Sequence, residues 1–417
     1  MRLPKSLLLL ATLLPIALPA ATLCVNPNGS GGCYTTISAA VAAAAANDII
    51  DVAPGTYPES VLITKSLSLV GYLATIDATG LSRGIFVNGM ATPNLSGVRI
   101  SGFTVKKANF EGILVANASD VSIADNIILD NDLSLSSAAC PGLDAFETNE
   151  QDDCGEGIHL LGSHHSIVTG NSVHGNSGGI LLTDDTGATH DNLISFNSVH
   201  DNPFDCGITL ASHPPAAITG SMLPLGVFHN TVYANDSEKN GLNVAGAGAG
   251  VGIFASIPGA SSYGNVVVNN FLKDNGLPGI AIHAHAPNQN VNDNMLVGNT
   301  ILGNGADTED AATPGPTGIN LYAFVPATGN IVSANFIHNE TVDVAISTAA
   351  LVQVQFNNLL GGNTGLDNIG TGSVDATNNW WGCPHGPILG PNCSKITGSD
   401  VLSAPWLFAP APVEPSH

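Results

Sequence analysis

The sequence has few basic residues: Lys and Arg number 10 against 33 Asp and Glu, which gives a formal net charge of −23. Charged residues make up only 10% of the chain and aromatic residues 5%. A basic face that neutralises phosphates needs clustered Lys and Arg, so this composition excludes a nucleic-acid partner bound in that way. With 44% hydrophobic residues, the chain also has ample apolar surface to bury, which argues against disorder.

A helical bundle would be rich in Glu, Lys and Arg, which are scarce here. The chain is rich instead in Gly, with 47 residues, and in Asn, Val, Ile and Thr. These residues favour β-strands separated by many turns.

Residues 1–21 have the features of a secretory signal peptide. Arg2 and Lys5 form a charged start, Leu7 to Leu18 an apolar run, and Pro19-Ala20-Ala21 a small-residue exit. The apolar run is too short to span a bilayer, and no stop-transfer charge cluster follows it. We therefore expect an exported protein, secreted or periplasmic, without a membrane span.

All seven cysteines follow the predicted cleavage site, and an oxidising compartment would let close pairs form disulfides. The expected pairs are Cys24 with Cys33, Cys140 with Cys154, and Cys383 with Cys393. Cys206 is left over beside an apolar strand, and we interpret it as a small buried hydrophobe rather than a nucleophile. The absence of a C-x-x-C pair argues against a metal site built from cysteines.

Two sequence signals alternate along the chain from about residue 112. The first is a pair of Asn residues at fixed spacing, found as Asn126 to Asn131, Asn171 to Asn176, Asn197 to Asn202, Asn230 to Asn235, Asn270 to Asn275, Asn299 to Asn304 and Asn358 to Asn363, with Asn335 to Glu340 as a degenerate copy. The second is a strand that begins with Gly-Ile, found at Gly112, Gly157, Gly179, Gly207, Gly252, Gly279 and Gly318. Such strict alternation indicates an internal structural repeat.

The shortest repeat, from Gly157 to Gly179, is 22 residues long and contains three short strands of alternating apolar character. A unit of this size cannot bury its apolar face alone, so it must stack on its neighbours. Stacked three-strand coils form three parallel sheets around one core, and an inward Asn can hydrogen-bond its copies above and below. The repeat stretches at residues 132–155, 212–250 and 303–317, and such extra residues go to loops on a face, often the binding face.

Both ends of the repeat array look like caps. Thr36 to Ala46 has helical propensity and predicts a short helix that covers one end of the core. At the other end, Trp380 and Trp381 are expected to seal the core. The predicted organisation is a signal peptide at 1–21, an N-terminal cap at 22–48, a β-helix at 49–375, and a C-terminal cap and tail at 376–417.

Three features carry a resemblance to a known family: the opening TISAAVAAAAANDIIDVAPGTYPESVLITKSLSLVGY, the Asn-turn repeats and the closing NNWWG. Together they resemble the secreted right-handed parallel β-helix proteins of the pectate-lyase-like superfamily, especially its NosD-like branch. The resemblance implies an all-β, right-handed parallel β-helix, a three-sheet solenoid with a short N-terminal capping helix. That superfamily includes polysaccharide lyases, uronan C5-epimerases, glycoside hydrolases and members without assigned activity, so the fold alone does not give a function.

Side chains alternate along each Gly-Ile strand, and this phase directs polar residues outward on one sheet. The predicted outward set is His159, Thr183, Asp185, Thr209, His213, His283 and His285, with Glu156 and Asp205 just before the strands. A second outward column is predicted three residues after the repeat Asn, at His174, His200, Tyr233 and Lys273. Eight of the thirteen histidines fall between residues 156 and 230, namely 159, 164, 165, 174, 190, 200, 213 and 229. Acidic residues of the first insertion border this region, at Asp144, Glu147, Glu150, Asp152 and Asp153.

A groove lined by His, Asp, Glu, Tyr and Lys between insertions predicts a polysaccharide site, with uronan β-elimination or C5-epimerisation as the favoured chemistry. The candidate catalytic residues are His159, Asp205, His213, Tyr233 and Lys239, and the candidate substrate contacts are Glu156, His174, His200, Lys273, His283 and His285. Because basic residues are so few, a calcium ion held by Asp184 and Asp185, together with Asp205, is the more plausible group to neutralise a uronate.

Other interpretations stay open. Asp184, Asp185 and Asp205 on neighbouring coils would suit glycoside hydrolysis, which needs two carboxylates about 5 to 10 Å apart. A non-catalytic glycan- or metal-binding surface protein would also carry such columns, and outward columns of a solenoid can simply be solvated. No Arg follows Arg99, so the arginine that many of the related lyases use is absent.

Overall fold

The computed structural model describes residues 20–132, 140–148, 154–213, 225–244, 246–308, 313–360, 363–387 and 393–412. The chain forms a parallel β-helix, in which coils of short strands stack and pair in parallel with the coils before and after them. This confirms the predicted fold. Most of the predicted signal peptide, residues 1–19, lies outside the described residues.

One wall of the solenoid, here called sheet A, has twelve strands, each from a different coil. They are Val61–Ile63, Ile85–Asn88, Ile113–Ala116, Glu156–Leu161, Gly178–Thr183, Ile208–Ser212, Val251–Ala255, Ile280–Ala284, Thr317–Ala323, Val342–Ser347, Thr364–Asn368 and Lys395–Gly398.

Two further walls, ladders B and C, belong to one 23-stranded sheet because Leu67–Asp77 and Arg99–Lys106 run through both. Ladder B has Thr22–Val25, Asp48–Val52, Ser122–Ala124, Ile167–Thr169, Leu193–Ser195, Thr231–Tyr233, Val266–Val268, Met295–Val297, Ile331–Ser333, Val352–Gln355, Val374–Asp375 and Val401–Leu402. Ladder C has Gly55–Tyr57, Ile127–Leu129, Ser172–His174, Ser198–His200, Asp236–Glu238, Phe271–Lys273, Thr300–Leu302, Phe336–His338 and Asn358–Leu360. A short sheet of Thr189–His190, Val227–Phe228 and Ser262–Tyr263 lies where the chain turns from sheet A to ladder B.

The predicted capping helix forms over Ile37–Ala43 after a 3-10 turn at Ser30–Gly32. Thr36 caps it by accepting a hydrogen bond from the Ala39 amide. Glu59 accepts two more of the free amides at the helix start, from Ile37 and Ser38, each at 2.8 Å. At the opposite end Trp381 is fully buried in the core, as expected for a residue that seals it.

Asn side chains form hydrogen-bonded columns along the solenoid axis, as the sequence predicts. In the longest column each side-chain amide donates to the next side-chain oxygen at 2.9 to 3.0 Å. Its members are Asn126, Asn171, Asn197, Asn235, Asn270, Asn299, Asn335, Asn357 and Asn379. A second column runs through Asn131, Asn176, Asn202, Asn240, Asn275, Asn304 and Glu340. Each amide thus satisfies a buried polar group that would otherwise cost free energy.

Three repeat positions differ from the sequence assignment. Asn230 belongs to a third column with Asn192 and Asn265, so the equivalent of Asn126 in its coil is Asn235. Asn357, not Asn358, continues the longest column. Likewise Val251, not Ile253, pairs with Ile208, so the strand assigned to start at Gly252 starts two residues earlier. In each case a second Asn or Gly lies close to the residue that occupies the repeat position, and it has the spacing expected of the repeat.

The three predicted disulfides are present, joining Cys24 to Cys33, Cys140 to Cys154 and Cys383 to Cys393. Cys206 is a buried free thiol packed against Ala249, Leu277 and Ala281, in agreement with the hydrophobe interpretation. In the described part of the chain no helix is long and apolar enough to cross a membrane.

Candidate functional site

The outer face of sheet A is the face that the sequence identifies as the candidate site, but it is not open along its whole length. Every residue of the strands Glu156–Leu161 and Gly178–Thr183 is buried, including those that point away from the core. A column that is simply solvated, which the sequence left open as an alternative, is therefore not what these two strands form. The cover is the described part of the first insertion, residues 140–148, which lies over these strands.

Arg83 anchors this cover. Its guanidinium contacts Glu111 at 2.7 Å on the sheet, and Asp144 at 2.8 Å and Glu147 in the insertion. The rings of Phe86 and Phe146 flank the same guanidinium, with centroids 5.3 and 5.8 Å away. Burial opposes the charged form of Arg83, but the three acidic partners outweigh this effect and raise its pKa.

Glu111 and Glu147 are both buried, but their pKa values shift in opposite directions. Burial raises the pKa of Glu111, but the Arg83 guanidinium outweighs burial and holds the pKa below its usual value. Burial, and then the charge of Glu111, raise the pKa of Glu147 well above its usual value. The Arg83 guanidinium thus favours the ionised form of Glu111, whereas burial beside Glu111 disfavours the ionised form of Glu147.

His159 lies beside this cluster on the sheet. Its Nε2 atom is 2.9 Å from the Thr183 hydroxyl, and its Nδ1 atom is 3.9 Å from a Glu156 oxygen. Burial lowers the pKa of His159 to about 4, so the ring is neutral at pH 7. The pocket above it has free space of about 20 Å³. That is enough for a water molecule or an ion, not for a sugar ring.

Asp184 and Asp185 are neighbours in sequence but bind different groups. Asp185 accepts hydrogen bonds from the Thr148 amide at 2.9 Å and hydroxyl at 3.1 Å, and its Oδ1 atom is 3.9 Å from His213 Nδ1. Asp184 accepts from the Ser212 hydroxyl at 2.9 Å and the Gly226 amide at 2.7 Å. Burial raises the pKa of Asp185 to about 6 and also raises that of Asp184.

Beyond His213 the outer face of sheet A opens into a groove of about 300 Å³. Its lining includes His213, Phe254, Ser256, His283 and His285. Two aromatic rings extend this surface: Tyr322 lies 5.4 Å and Phe324 6.1 Å from the His285 ring, centroid to centroid. Phe324 is 68% exposed, so the groove offers an accessible aromatic face.

His283 forms the floor of this groove. Its Nε2 atom is 3.0 Å from the Asn320 amide nitrogen and 3.4 Å from an Asp307 oxygen. Burial lowers the pKa of His283 to about 3, so it is a neutral hydrogen-bonding group at pH 7. A neutral polar floor with aromatic walls is typical of sites that bind sugars or other polar ligands of low charge.

The structure divides the predicted site residues among three walls. Sheet A and its edges carry Glu156, His159, Asp184, Asp185, Asp205, His213, His283 and His285. Ladder C carries His174, His200 and Lys273, with Lys239 directly after one of its strands. Lys239 and Lys273 are thus on a different wall from His159 and His213. Glu150, Asp152 and Asp153 lie outside the described residues.

Tyr233 does not belong to the outward column in which the sequence places it. It pairs with Ser195 and Val268 in ladder B, whereas Glu238 stands between His200 and Lys273 in ladder C. The error has the same origin as the misplaced Asn230. Counting three residues from an Asn of the third column leads to the wrong wall.

The side chains of Asp205 and Glu156 both lie close to Gly178. A Cβ atom at Gly178 would lie 3.2 Å from the side chains of both residues. Asp205 is therefore close to Glu156 and does not line the groove beyond His213. Two groups of potential metal ligands converge within 4.8 Å in the described part of the chain, and neither contains Asp184, Asp185 or Asp205. The three aspartates do not form one such cluster, and their role as calcium ligands stays a prediction.

Sequence reasoning missed Arg83, Glu111, Tyr322 and Phe324. A signal for the first two exists, because Arg83 precedes Gly84-Ile85 just as Glu111 precedes Gly112-Ile113 and Glu156 precedes Gly157-Ile158. Ile85, Ile113 and Ile158 pair in register. Extending the Gly-Ile repeat by one coil would have placed Arg83 in an acidic column.

Comparison with known families identifies a sequence match that includes part of this site. The NosD family, described as periplasmic copper-binding protein, matches residues 76–252. The match begins at the coil of Arg83 and contains the covered pocket as well as His213. The chain is a parallel β-helix protein, and this part of it is similar to the NosD family. No curated protein sequence matches it.

The chain is also similar to several solved structures. The Dettilon tailspike protein has a TM-score of 0.53 at 14% identity, over 92% of this chain and 66% of that one. A pectate lyase matches with a TM-score of 0.48 at 14% identity, over 81% of this chain and 80% of that one. A mannuronan C-5 epimerase module from Azotobacter vinelandii matches with a TM-score of 0.42 at 14% identity, covering 88% and 94%. Identities this low concern the fold and not the activity.

Proposed function

We propose that this NosD-like protein is exported and acts on a polysaccharide bound in the groove beyond His213. In this proposal His213 exchanges protons with the sugar, and Asp185 exchanges them with His213, in lyase or C5-epimerase chemistry. The observation that carries the proposal is the position of His213, which borders both the covered pocket and the open groove. The three disulfides support export, because such bonds persist in oxidising compartments.

The pair has the properties that proton transfer needs. Asp185, whose pKa burial raises to about 6, can take up or release a proton near neutral pH. His213 lies 3.9 Å from it and faces the groove, where a sugar can reach the ring. In elimination or epimerisation a base removes the proton next to the uronate carboxyl, and an acid then protonates the leaving oxygen or the opposite face of the carbon.

A uronate also needs its carboxylate neutralised. The residues that line the described groove include no Lys or Arg, and Arg83 is already bound to three acidic groups. We therefore propose a calcium ion near Asp184, since its Oδ1 atom is buried without a hydrogen-bond partner. The ion would attract the uronate carboxylate while the protein supplies the proton-transfer groups.

Glycoside hydrolysis receives less support. It needs two carboxyl groups on opposite sides of the scissile bond. Among the described residues that line the groove none is acidic, and Asp185 and Asp307 lie behind His213 and His283.

The description of the NosD family suggests copper as a second ion, and the covered pocket does not suit it. Glu111, Glu147 and His159 converge there, but Arg83 already binds both carboxylates. A buried guanidinium would repel a metal ion in the same space. We derive no step of the proposed reaction from copper.

The test is to incubate the purified protein with uronans and neutral glycans, with added calcium or with a chelator. We expect unsaturated products, or deuterium uptake at C5 in heavy water, from a uronan and only with calcium. His213→Gln should lower the rate at least about 100-fold, as loss of a proton-transfer group does.

His338→Gln is the matched control, since His338 is a strand histidine of ladder C, away from the groove. It should keep the full rate. No conversion of any glycan, or equal rates for His213→Gln and the control, would refute the proposal.

A further inference from the structure

Four of the eight clustered histidines lie outside the groove, at the turn from sheet A to ladder B. We call His164, His165, His190, Asp191 and His229 the histidine corner. They come from three consecutive coils, since His164 bridges to His190 and His190 pairs with Phe228, the neighbour of His229. The proposed reaction on a polysaccharide uses none of them.

Two columns of side chains make up this corner. One is a stack of rings, His164 on His190 on Phe228, each 5.0 Å apart and within 5° of parallel. The other consists of the next residue in each coil, His165, Asp191 and His229, which all have left-handed backbone with φ of 54 to 55°. Each coil therefore presents two adjacent side chains at the same surface.

The ligand atoms of His165, His190 and Asp191 all lie within 4.8 Å of one another. His164 is adjoining, with its Nδ1 atom 2.8 Å from His165 Nδ1. Around an ion with bonds of about 2.0 Å to imidazole nitrogen, neighbouring ligand atoms stand about 3 to 4 Å apart. His165 and Asp191 are exposed, so small rotations of their side chains suffice to reach that spacing.

We propose that the histidine corner binds one late first-row divalent metal ion, and Cu²⁺ most tightly, through His165, His190 and Asp191 with His164 alongside. Imidazole and carboxylate ligands suit this class of ion, and affinity rises along the first-row series to Cu²⁺. Calcium prefers sites made only of oxygen atoms, so it should not compete for the corner.

The electrostatics of the corner favour a cation. Asp120 and Asp191 place two carboxylates near His164, and an Asp191 oxygen lies 2.7 Å from His190 Nδ1. The two aspartates compensate part of the charge of a bound dication.

A second histidine pair provides a control within the same molecule. His174 stacks on His200 at 4.9 Å, and His200 contacts Asp201 at 2.8 Å, much as His190 contacts Asp191 at 2.7 Å. This pair has no third histidine, and it is not among the groups of three converging ligands that the described chain contains. It should bind metal far more weakly than the corner.

The experiment is a calorimetric titration of the untagged full chain with Cu²⁺ at neutral pH, with electron paramagnetic resonance to detect bound nitrogen ligands. We expect one tight site, at least about 100-fold weakened in His165→Ala and in His190→Ala, because each loses a direct ligand. His174→Ala and His200→Ala should bind as the wild type does, and excess Ca²⁺ should not displace Cu²⁺.

Absence of a tight site in the wild type would overturn the proposal. So would equal affinity in the corner variants and the control variants, or a resonance spectrum without nitrogen ligands. Since the readout is metal binding, the result does not depend on whether the groove acts on a polysaccharide.

Discussion

The outer face of sheet A has two regions that share the same strands but differ in what lies over them. In the covered region, residues 140–148 close a pocket with about 20 Å³ of free space around Arg83, Glu111 and His159. In the open region, a groove of about 300 Å³ presents His213, His285 and aromatic rings. An insertion, and not the strand pattern, therefore decides whether an outward side chain of this sheet is buried or accessible.

The largest effect expected from this comparison concerns stability in the covered region. Arg83→Met leaves Glu111 and Glu147 buried without their cation, which should lower the free energy of unfolding by about 3 to 5 kcal/mol. Chemical denaturation at pH 8 measures the loss. Arg99→Met is the matched control and should change stability little, because Arg99 is exposed.

Lowering the pH should reduce the difference in free energy of unfolding between Arg83→Met and the wild type, because protonated carboxyls no longer need a cation. If the two arginine variants lose equal stability, the contacts of Arg83 with the insertion do not stabilise the cover.

A smaller effect is expected at the boundary between the regions, from Asp185. Burial raises its folded pKa from 3.8 to about 6, so the native state holds a proton that the unfolded state has released. The stability that this proton contributes is present below pH 4 and is lost as pH rises towards 6. Relative to the wild type, Asp185→Asn should therefore gain up to about 3 kcal/mol between pH 4 and pH 7.

Denaturation curves of both proteins across this pH range measure the difference. Glu340→Gln is a useful comparison, because burial raises the pKa of Glu340 to about 7. The difference in stability between this variant and the wild type should therefore change at higher pH. A constant difference between the wild type and Asp185→Asn would show that Asp185 titrates normally.

The smallest effect on stability is expected in the open region. Phe324→Ala removes an exposed ring, so the free energy of unfolding should change by less than about 0.5 kcal/mol. Glycan affinity should fall about 5- to 10-fold if the ring contacts sugar, as measured by calorimetry with an oligosaccharide. Phe356→Ala, another exposed aromatic away from the groove, should leave that affinity unchanged.

The fold was predictable because its main signals are local. Alternating apolar residues and Asn at fixed spacing report the strands and turns directly, so the solenoid, its capping helix and its disulfides all follow from the sequence. Register within a coil was less predictable, since an extra Asn imitates the repeat at Asn230 and displaces Tyr233 to the wrong wall.

The site was only partly predictable, because it depends on contacts distant in sequence. His159, Asp185 and His213 were recognisable from strand alternation, and the structure brings them to one pocket. The contact of Arg83 with Glu147 joins residues 64 positions apart, and no local sequence pattern predicts it. Whether a loop covers an outward column is likewise a tertiary property.

The Asn columns give the molecule a direction. In every step the amide of one coil donates to the oxygen of the following coil, so the amide dipoles align along the axis from Asn131 to Glu340. Whole coils can be duplicated or lost in evolution without breaking such a row. A single residue inserted between the paired Asn positions would displace one of them from its row. A turn that borders sheet A, such as residues 140–148, can lengthen without breaking the rows.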